Sequence, residues 1–186
     1  MVSNIKTSLS EFRAFLSGVD EDQQYELIAG EIIMSPAPQV PHQRISRKLL
    51  FLLRDIIPNG EVWYAPTEVR INDQNVYQPD IFWISSNNDI VETVSGFVGV
   101  PDLVIEILSP GTAKYDKQGK FKAYEAAGVH EYWIADPAND LLEVWTLEED
   151  KFNRVGAFSD GDTFQSTVLG KTILLAAIFA NPSDSA

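Results

Sequence analysis

The sequence contains no cysteine, which excludes disulfide bridges, thiolate zinc sites and cysteine nucleophiles. This composition fits a reducing compartment, and we expect a cytoplasmic protein. Long apolar runs are also missing, because none approaches the roughly 20 residues that a membrane helix needs. The opening MVSNIKTSLSEF lacks the apolar core of a secretory signal. We therefore expect a soluble protein with no membrane partner.

Positive charge is in short supply. The chain has 14 Lys and Arg against 27 Asp and Glu, a net charge of -13, and a field of this sign repels nucleic acid, which counts against simple coating of DNA. Eight of the cations nevertheless lie in two short stretches, Arg44, Arg47, Lys48 and Arg54, then Lys114, Lys117, Lys120 and Lys122. These stretches are either solvated helix faces or local contacts for a phosphate backbone.

The length of 186 residues predicts a single domain over residues 1–186 that buries roughly 70% of its unfolded surface. Helix signals are a capping box of Ser8 and Glu11, apolar residues at helical spacing after Pro41, and Gly128 as a terminator. They predict helices at residues 9–17, 42–57 and 113–127.

Alternating apolar and β-branched segments predict the strands. YELIAGEIIM predicts a hairpin, and further strands are predicted in EVWYAP, TEVRIN, YQPDIFWI, PDLVIEIL, HEYWIADP, LLEVWTL, KFNRVGAF and TFQST. SSNNDIVETVSG is predicted as a polar connection and TILLAAIFA as a short helix. This order is typical of an α/β (α+β) fold in which helices flank a mixed β-sheet.

Two carboxylates stand out in this pattern. Glu106 lies in the middle of the apolar strand LVIEIL, where an ionised side chain is costly unless it is paired or metal-bound. By strand parity Glu106 shares a face with Val104 and Leu108, and Asp80 shares one with Phe82 and Ile84. If the two strands are neighbours, both carboxylates converge at one edge of the sheet. Carboxylates so placed require a cation or a shared proton.

Oxygen ligands favour Mg²⁺ or Mn²⁺ over zinc, because thiolates are absent and the chain has 2 histidines. Two simpler interpretations remain open. Asp80 would only cap a turn after Pro79, and Glu106 would pair with a lysine or arginine of a neighbouring helix.

The chain resembles the Uma2-like family of the PD-(D/E)xK nuclease superfamily. The likeness runs from YELIAGEIIMSPAP through PHQRIS, GEVWYAPTEVRI and QPDIFWI to PDLVIEILSPGTAKYDKQGKFKAYEAAGVHEYWIADP. It implies a restriction-endonuclease-like core, a divalent metal and hydrolysis of phosphodiester bonds. On this resemblance Asp80 and Glu106 hold Mg²⁺ together with the carbonyl of Ile107.

The sequence departs from the superfamily pattern at Leu108, where a lysine is expected two residues after Glu106. In the Uma2-like pattern a lysine of the next helix takes its place, and the matching residue is Lys120. Because a lysine side chain is long, a helix beside the strand can return the ammonium to the same place. Lys117 and Lys114 are the alternatives.

Two further residues are candidates for the catalytic site. Glu31, after the Ala29–Gly30 turn, would add a third carboxylate, although an acid at a hairpin is commonly just exposed. His42, in the first turn of the long helix, would orient a phosphate or a water, although a solvated histidine is common there. Tyr124 is interpreted as packing. Ser109 lacks the Gly-x-Ser-x-Gly context of a serine hydrolase.

The leading hypothesis is therefore a metal-dependent endonuclease acting on nucleic acid, with DNA favoured over RNA. A second hypothesis is a non-catalytic interaction module that keeps the nuclease fold. A third is a regulatory homodimer whose edge strands pair, suggested by aromatic strands such as LLEVWTL.

Overall fold

The computed structural model describes residues 6–20, 23–35, 37–109 and 115–180. Within these ranges the helices are α1 (Leu9–Leu16), α2 (Val40–Ile56) and α3 (Phe121–Ala127), and a π-helical turn, Tyr115–Lys120, leads into α3. The strands are β1 (Gln24–Ile28), β2 (Glu31–Ser35), β3 (Glu61–Tyr64), β4 (Glu68–Asn72), β5 (Asn75–Tyr77), β6 (Ile81–Ile84), β7 (Val91–Thr93), β8 (Gly96–Val98), β9 (Leu103–Ile107), β10 (Glu131–Asp136), β11 (Leu141–Glu148), β12 (Lys151–Phe158), β13 (Thr163–Ser166) and β14 (Lys171–Leu174).

The strands form two six-stranded mixed sheets and one hairpin. The central sheet has the order β12-β11-β10-β9-β6-β3, in which β9 and β10 are parallel and the other pairs are antiparallel. The second sheet has the order β2-β1-β5-β4-β8-β7, and β13 pairs with β14. The predicted mixed sheet with flanking helices is confirmed, and the second sheet is an addition to it.

Both faces of the central sheet are covered, which explains why its strands are apolar throughout. On one face α2 buries Ile45, Leu49 and Leu53 against the alternate residues of β6, β9 and β10. On the other face lie α3, through Tyr124, and the second sheet. The face with α3 also carries Phe82, Ile84, Val104 and Leu108, which confirms the strand parity predicted for the two acidic segments.

Several local predictions are confirmed by hydrogen bonds and dihedral angles. The capping box of α1 forms, because Ser8 N donates to Glu11 Oε2 at 2.7 Å and Glu11 N to Ser8 Oγ at 3.4 Å. The hairpin of β1 and β2 turns at Ala29 and Gly30, with φ of 51° and 81°, the two positive values that a tight type I′ turn needs. Gly128, with φ of 89°, ends α3 as predicted.

The C-terminal segment TILLAAIFA is not the predicted helix. Its first part belongs to β14, which pairs with β13. Beyond it the amides that would begin a helix are bound by Asp160, which accepts from Ile178 N at 2.6 Å and from Ala180 N at 2.9 Å. A carboxylate that satisfies these donors holds the segment in an irregular conformation while Ile178 and Phe179 pack into the core.

Three further expectations change. YQPDIFWI is not one strand, because Pro79 cannot donate to a ladder and the chain passes there from β5 in the second sheet to β6 in the central one. The predicted polar connection contains β7. The aromatic strand LLEVWTL is not an edge, because β11 lies between β10 and β12, so it gives no support to edge-strand dimerisation.

None of the helices in the part of the chain that the structure describes is both long enough and apolar enough to cross a bilayer.

Candidate active site

A cleft of about 570 Å³ opens at the end of the central sheet where β6 begins and β9 ends. Its walls come from the first turns of α2, the paired ends of β1 and β2, and the segment after β3. Glu26, Asp80, Glu106 and Lys120 line it. The fold therefore brings three carboxylates and an ammonium group, from four distant parts of the chain, to one opening.

The two acids singled out in the sequence face each other. Strands β6 and β9 are antiparallel neighbours with Ile81 opposite Ile105, which confirms the predicted adjacency. One step further along this register, Asp80 lies opposite Glu106, and directly opposed residues have Cβ atoms about 4.5–5.5 Å apart. The Asp80 carboxylate is fixed in place because its Oδ2 accepts a hydrogen bond of 2.7 Å from Ile107 N.

Glu106 is 3% exposed, and its buried carboxylate has two hydrogen-bond donors beside it. Its Oε1 accepts from Lys120 Nζ at 3.0 Å and from Tyr124 OH at 2.9 Å. These contacts explain how an apolar strand accommodates the Glu106 carboxylate, because a buried acid is tolerated when a cation and a neutral donor replace its water. Tyr124 packs in the core, as predicted, and also holds the site.

Lys120 is itself 3% exposed, and its Nζ lies 3.0 Å from Glu106 Oε1 and 3.0 Å from Glu26 Oε1. It is the last residue of the π-helical turn that precedes α3, and such turns are frequent at functional sites. The ammonium thus reaches Glu106 from a helix, as the resemblance to the Uma2-like pattern implies.

Close packing of this helix depends on Gly119. A Cβ atom at Gly119 would lie 3.1 Å from Ile28 Cγ2 of β1, which is tighter than an ordinary van der Waals contact. Because Ile28 and Glu26 are two residues apart on the same strand, they share a face. The absent side chain therefore allows the helix to approach the strand that carries Glu26, a partner of Lys120.

Sequence reasoning missed Glu26. This residue of β1 is 3% exposed. Besides Lys120, it accepts from Gln78 N at 2.8 Å and from Ser35 Oγ at 3.1 Å. The available signal was the same as for Glu106, an acid on the apolar face of a short strand, since Glu26 shares a face with the buried Ile28.

Glu31, the predicted third carboxylate, is not part of the cleft. It is exposed and begins β2 at the turn end of the hairpin, opposite Ile28. The cleft lies at the other end of that hairpin, where Gln24 pairs with Ser35. Ser35 lies four residue steps along β2 from Glu31, about 13 Å at the usual rise, so the position belongs to Glu26 instead.

His42 is brought into the site. It lies in the first turn of α2, lines the cleft, and places Nε2 3.2 Å from Asp80 Oδ2. The same carboxylate oxygen therefore meets both a backbone amide and an imidazole. Asp80 links the end of the sheet to the start of the helix.

Among the described basic residues of the two stretches, Arg47 and Lys120 line the cleft and the others do not. Lys117 Nζ lies 3.1 Å from Glu143 Oε1 and 3.7 Å from Asp136 Oδ2, and Lys122 is exposed. On α2, Lys48 Nζ donates to Ala180 O at 2.7 Å, whereas Arg47 is exposed and lines the cleft. Lys114 lies outside the described residues.

Burial raises the pKa of the Tyr124 phenol well above its ordinary value, and the neighbouring Glu106 carboxylate raises it further. Burial likewise raises the pKa of the Tyr77 phenol. The aromatic rings of these two tyrosines are 5.0 Å apart. Both phenols therefore stay protonated at neutral pH, and Tyr124 acts as a donor to Glu106.

Oxygen atoms dominate the polar groups of the cleft. Across residues 6–20, 23–35, 37–109 and 115–180, no set of three His, Cys, Asp or Glu side chains is arranged to enclose a cation. Two opposed carboxylates beside a strand-end carbonyl are instead the kind of partial oxygen shell with which proteins bind Mg²⁺, which keeps several of its waters. Asp80, Glu106 and the Ile107 carbonyl fit that donor chemistry.

Comparison with known proteins agrees with this architecture. A family model described as "Uma2: Putative restriction endonuclease" matches residues 9–176. A crystal structure of "a putative nuclease belonging to DUF820" from Anabaena variabilis ATCC 29413 superposes with a TM-score of 0.73 over 92% of this chain and 97% of that chain. With 20% sequence identity, this likeness shows the fold alone.

Two proteins of Synechocystis sp. (strain ATCC 27184 / PCC 6803 / Kazusa) are similar in sequence. Uncharacterized protein slr1290 is 30% identical over 105 residues, 55% of this chain and 54% of that protein. Uncharacterized protein sll1609 is 26% identical over 118 residues, 61% of this chain and 67% of that protein. The match thus spans about half the length of slr1290. Since the family model covers residues 9–176 of the 186, this chain belongs to the Uma2 family.

Proposed function

We propose that the protein is a metal-dependent endonuclease that hydrolyses phosphodiester bonds of nucleic acid, with DNA favoured over RNA. One observation carries the proposal: Asp80 and Glu106 oppose each other on neighbouring strands, and the Lys120 ammonium lies 3.0 Å from Glu106 in the same cleft. Two acids that can hold a divalent cation and a lysine that can stabilise negative charge form one set of groups able to hydrolyse a phosphodiester. The family description and the nuclease fold of the Anabaena protein support it.

The divalent cation would be Mg²⁺ or Mn²⁺, held by Asp80, Glu106 and the carbonyl of Ile107. A cation of this kind supplies Lewis-acid chemistry, because it polarises a phosphoryl oxygen and makes a water more acidic. The remaining chemistry falls to side chains of the chain itself.

Lys120 would stabilise the negative charge that develops on the phosphoryl oxygens. A fixed ammonium in a site with little water acts more strongly than one in solution, because it does not reorganise during the reaction. Its two contacts at 3.0 Å, to Glu26 and Glu106, keep it fixed. Glu26 is thus a positioning residue in this proposal.

Asp80 and His42 would hold the other side of the reaction centre. The bond from Ile107 N fixes the orientation of the Asp80 carboxylate, and His42, 3.2 Å from that carboxylate, would orient the attacking water or the phosphate. In the net reaction the water oxygen bonds to phosphorus, the bond from phosphorus to one sugar oxygen breaks, and the proton from water ends on that oxygen.

The direct test is cleavage of end-labelled oligonucleotides by the purified protein with Mg²⁺, with Mn²⁺ or with EDTA. Single-stranded and duplex DNA and RNA are compared. We expect metal-dependent products that are lost in Asp80→Asn and Glu106→Gln and retained in Lys117→Met, whose lysine contacts Glu143 outside the cleft. Cleavage that persists in Asp80→Asn would point to a contaminating enzyme.

A second candidate function is an interaction module that retains the fold without catalysis. The observation favouring it is that Lys120 already bridges two carboxylates, an arrangement that also serves simply to neutralise buried acids. Failure to cleave any of the four substrates, together with cation binding measured by calorimetry, would favour this module. Metal binding by itself does not separate the two functions.

The predicted homodimer stays a prediction. Light scattering on a size-exclusion column measures the mass directly, and a monomer at micromolar concentration would contradict it.

A further inference from the structure

The charges that line the cleft are unsuited to duplex nucleic acid. A duplex presents about one negative charge per 1.7 Å of its axis, and proteins bind it by neutralising many phosphates at once. Among the described lining residues the carboxylates are Glu26, Asp80 and Glu106, and Arg47 is the one exposed lysine or arginine. Lys120 is buried between two of those acids. A chain with a net charge of -13 adds long-range repulsion.

Tyr64 supplies an aromatic wall instead. It is 55% exposed, lines the cleft, and is the last residue of β3 at the edge of the central sheet. An exposed ring of this size beside a polar centre is the side chain that stacks on nucleic-acid bases, whose π-faces are all accessible once a base is unpaired.

The backbone around Tyr64 is tied to the segment that carries Asp80. Tyr64 pairs with Ile81, the residue next to Asp80, and the following amide, Ala65 N, donates to Asp80 O at 3.1 Å. Thr67 Oγ1 donates to Tyr64 O at 2.7 Å. The backbone from which the ring projects is therefore held at a fixed place relative to the segment that carries Asp80.

The rest of the wall is largely neutral. Leu50 and Pro66 contribute apolar surface, and Gln78 contributes an amide. The side-chain Oε1 of Gln78 is buried and has no hydrogen-bond donor within the described part of the chain. A buried acceptor of this kind favours a ligand that brings an N–H or O–H group, as bases and sugar hydroxyls do.

We propose that the cleft takes an unpaired stretch of nucleic acid, single-stranded DNA or RNA, with one base stacked on Tyr64 and a neighbouring phosphate facing Asp80 and Glu106. Arg47 contacts a flanking phosphate. The volume of about 570 Å³ lies in the range of small-molecule sites and suits one or two nucleotides. The inference rests on the proposed function and narrows its substrate to single strands.

Binding is measured without turnover, so that the result does not depend on cleavage. Fluorescence anisotropy gives the Kd of the full chain for labelled 12-nucleotide DNA and RNA single strands and for matched blunt duplexes, in EDTA and again in Ca²⁺. We expect at least one single strand to bind about tenfold or more tightly than its duplex. Equal or tighter binding of the duplexes, or no binding of any strand in either condition, overturns the proposal.

The role of Tyr64 is tested by variants and by abasic scanning of the same strand. Tyr64→Ala should weaken binding about fivefold or more, the scale of one stacked base, whereas Tyr64→Phe keeps the ring and should bind as wild type. Phe51→Ala is the matched control, because Phe51 is 50% exposed on α2 and does not line the cleft. An effect as large in Phe51→Ala, or in Tyr64→Phe, overturns the stacking role.

Abasic scanning distinguishes stacking from a merely structural role of Tyr64. Moving one abasic site along the strand should reveal a position at which wild type loses about fivefold or more, and Tyr64→Ala should lose nothing further there. Additive losses at every position contradict a stacked base. The DNA and RNA series decide between the two sugars.

The two proposals fail separately. Single-strand binding with the Tyr64 signature but no cleavage would overturn the nuclease function and leave this inference standing. Metal-dependent cleavage of duplex in preference to single strand would support the nuclease function and overturn this inference.

Discussion

Glu106 and Glu131 lie buried on neighbouring parallel strands of the central sheet, β9 and β10, and they serve different purposes. Glu131, 0% exposed, is surrounded by neutral donors: Trp133 Nε1 at 2.6 Å and the backbone and hydroxyl of Thr167, each at 2.9 Å. Glu106 faces the Lys120 ammonium in a cleft with two further carboxylates. The two acids are at opposite ends of their strands.

The comparison shows that a carboxylate in an apolar strand is not by itself a sign of chemistry. Glu131 anchors the loop after β13 to the sheet, and every one of its contacts is a fixed neutral group. Glu106 has the charged ammonium of Lys120 as its partner and a second acid, Asp80, across the strand pair. The nature of the partners and the position beside a cleft separate a structural acid from a site acid.

The largest loss of cleavage rate is expected when Lys120 is replaced. We predict that Lys120→Met lowers the cleavage rate per folded molecule by about 10² or more, the loss typical of one electrostatic donor, and leaves the affinity for Mn²⁺ nearly unchanged. The rate is measured by single-turnover cleavage, and the folded fraction by circular dichroism. Lys117→Met serves as control, and equal rates for wild type and Lys120→Met would rule out the catalytic lysine.

Replacing the structural acid should weaken the fold and spare the site. We expect Glu131→Gln to lower the free energy of unfolding by about 2–3 kcal/mol, because the amide loses charge-assisted bonds and turns a donor toward Thr167 or Trp133. Urea denaturation measures the loss. Cleavage per folded molecule should not change, and a catalytic defect of tenfold would contradict the division of roles between the two acids.

The raised pKa of Tyr124 should make the free energy of unfolding depend on pH above pH 10. Burial raises the pKa of Tyr124 above its ordinary value near 10, so the unfolded state releases this proton first. Its contribution to stability is fully present below pH 10 and falls as the pH rises further. At pH 11 the stability lost through one such group amounts to about 1.4 kcal/mol.

Tyr124→Phe should therefore lose less stability between pH 8.5 and pH 11 than wild type does. Urea denaturation at the two pH values measures the difference, with Tyr64→Phe as the exposed control. Parallel declines in wild type and Tyr124→Phe would show that Tyr124 ionises normally in the folded protein.

The smallest change in stability is expected for the site acid. Glu106→Gln should alter the free energy of unfolding by less than about 1 kcal/mol, because Lys120 keeps its contact with Glu26 and the amide oxygen of glutamine can accept the hydrogen bonds from Lys120 and Tyr124 in place of the carboxylate. Wild type should gain thermal stability with Mn²⁺ by mass action. A similar gain in Glu106→Gln would exclude Glu106 as a ligand.

Much of the architecture followed from periodicity and punctuation in the sequence. Strand parity predicted the face on which Asp80 and Glu106 lie, and the choice of Lys120 came from the resemblance to the Uma2-like pattern. Glu26 was not found because its partners, Ser35, Gln78 and Lys120, come together only in the folded chain.

Tertiary contacts also decided the elements that were predicted wrongly. TILLAAIFA has a helical composition, but Asp160 binds the amides that a helix would use. Pro79 marks the break in YQPDIFWI, but the assignment of its two halves to different sheets depends on how those sheets stack. Glu31 and Glu26 are both acids of one hairpin, and only the position of the cleft chooses between them.

The close approach of Gly119 to Ile28 determines where the Lys120 ammonium lies in the cleft. A methyl group there would lie 3.1 Å from Ile28 Cγ2, so the helix would have to retreat by a few tenths of an ångström and carry the ammonium away from Glu26. Alanine is otherwise the better helix former, by about 1 kcal/mol. Gly119→Ala therefore sets intrinsic helix stability against the alignment of the ion pair, and unfolding and single-turnover cleavage of that variant should move in opposite directions. The absence of a side chain at Gly119 thus sets the distance between β1 and the helical turn that carries Lys120.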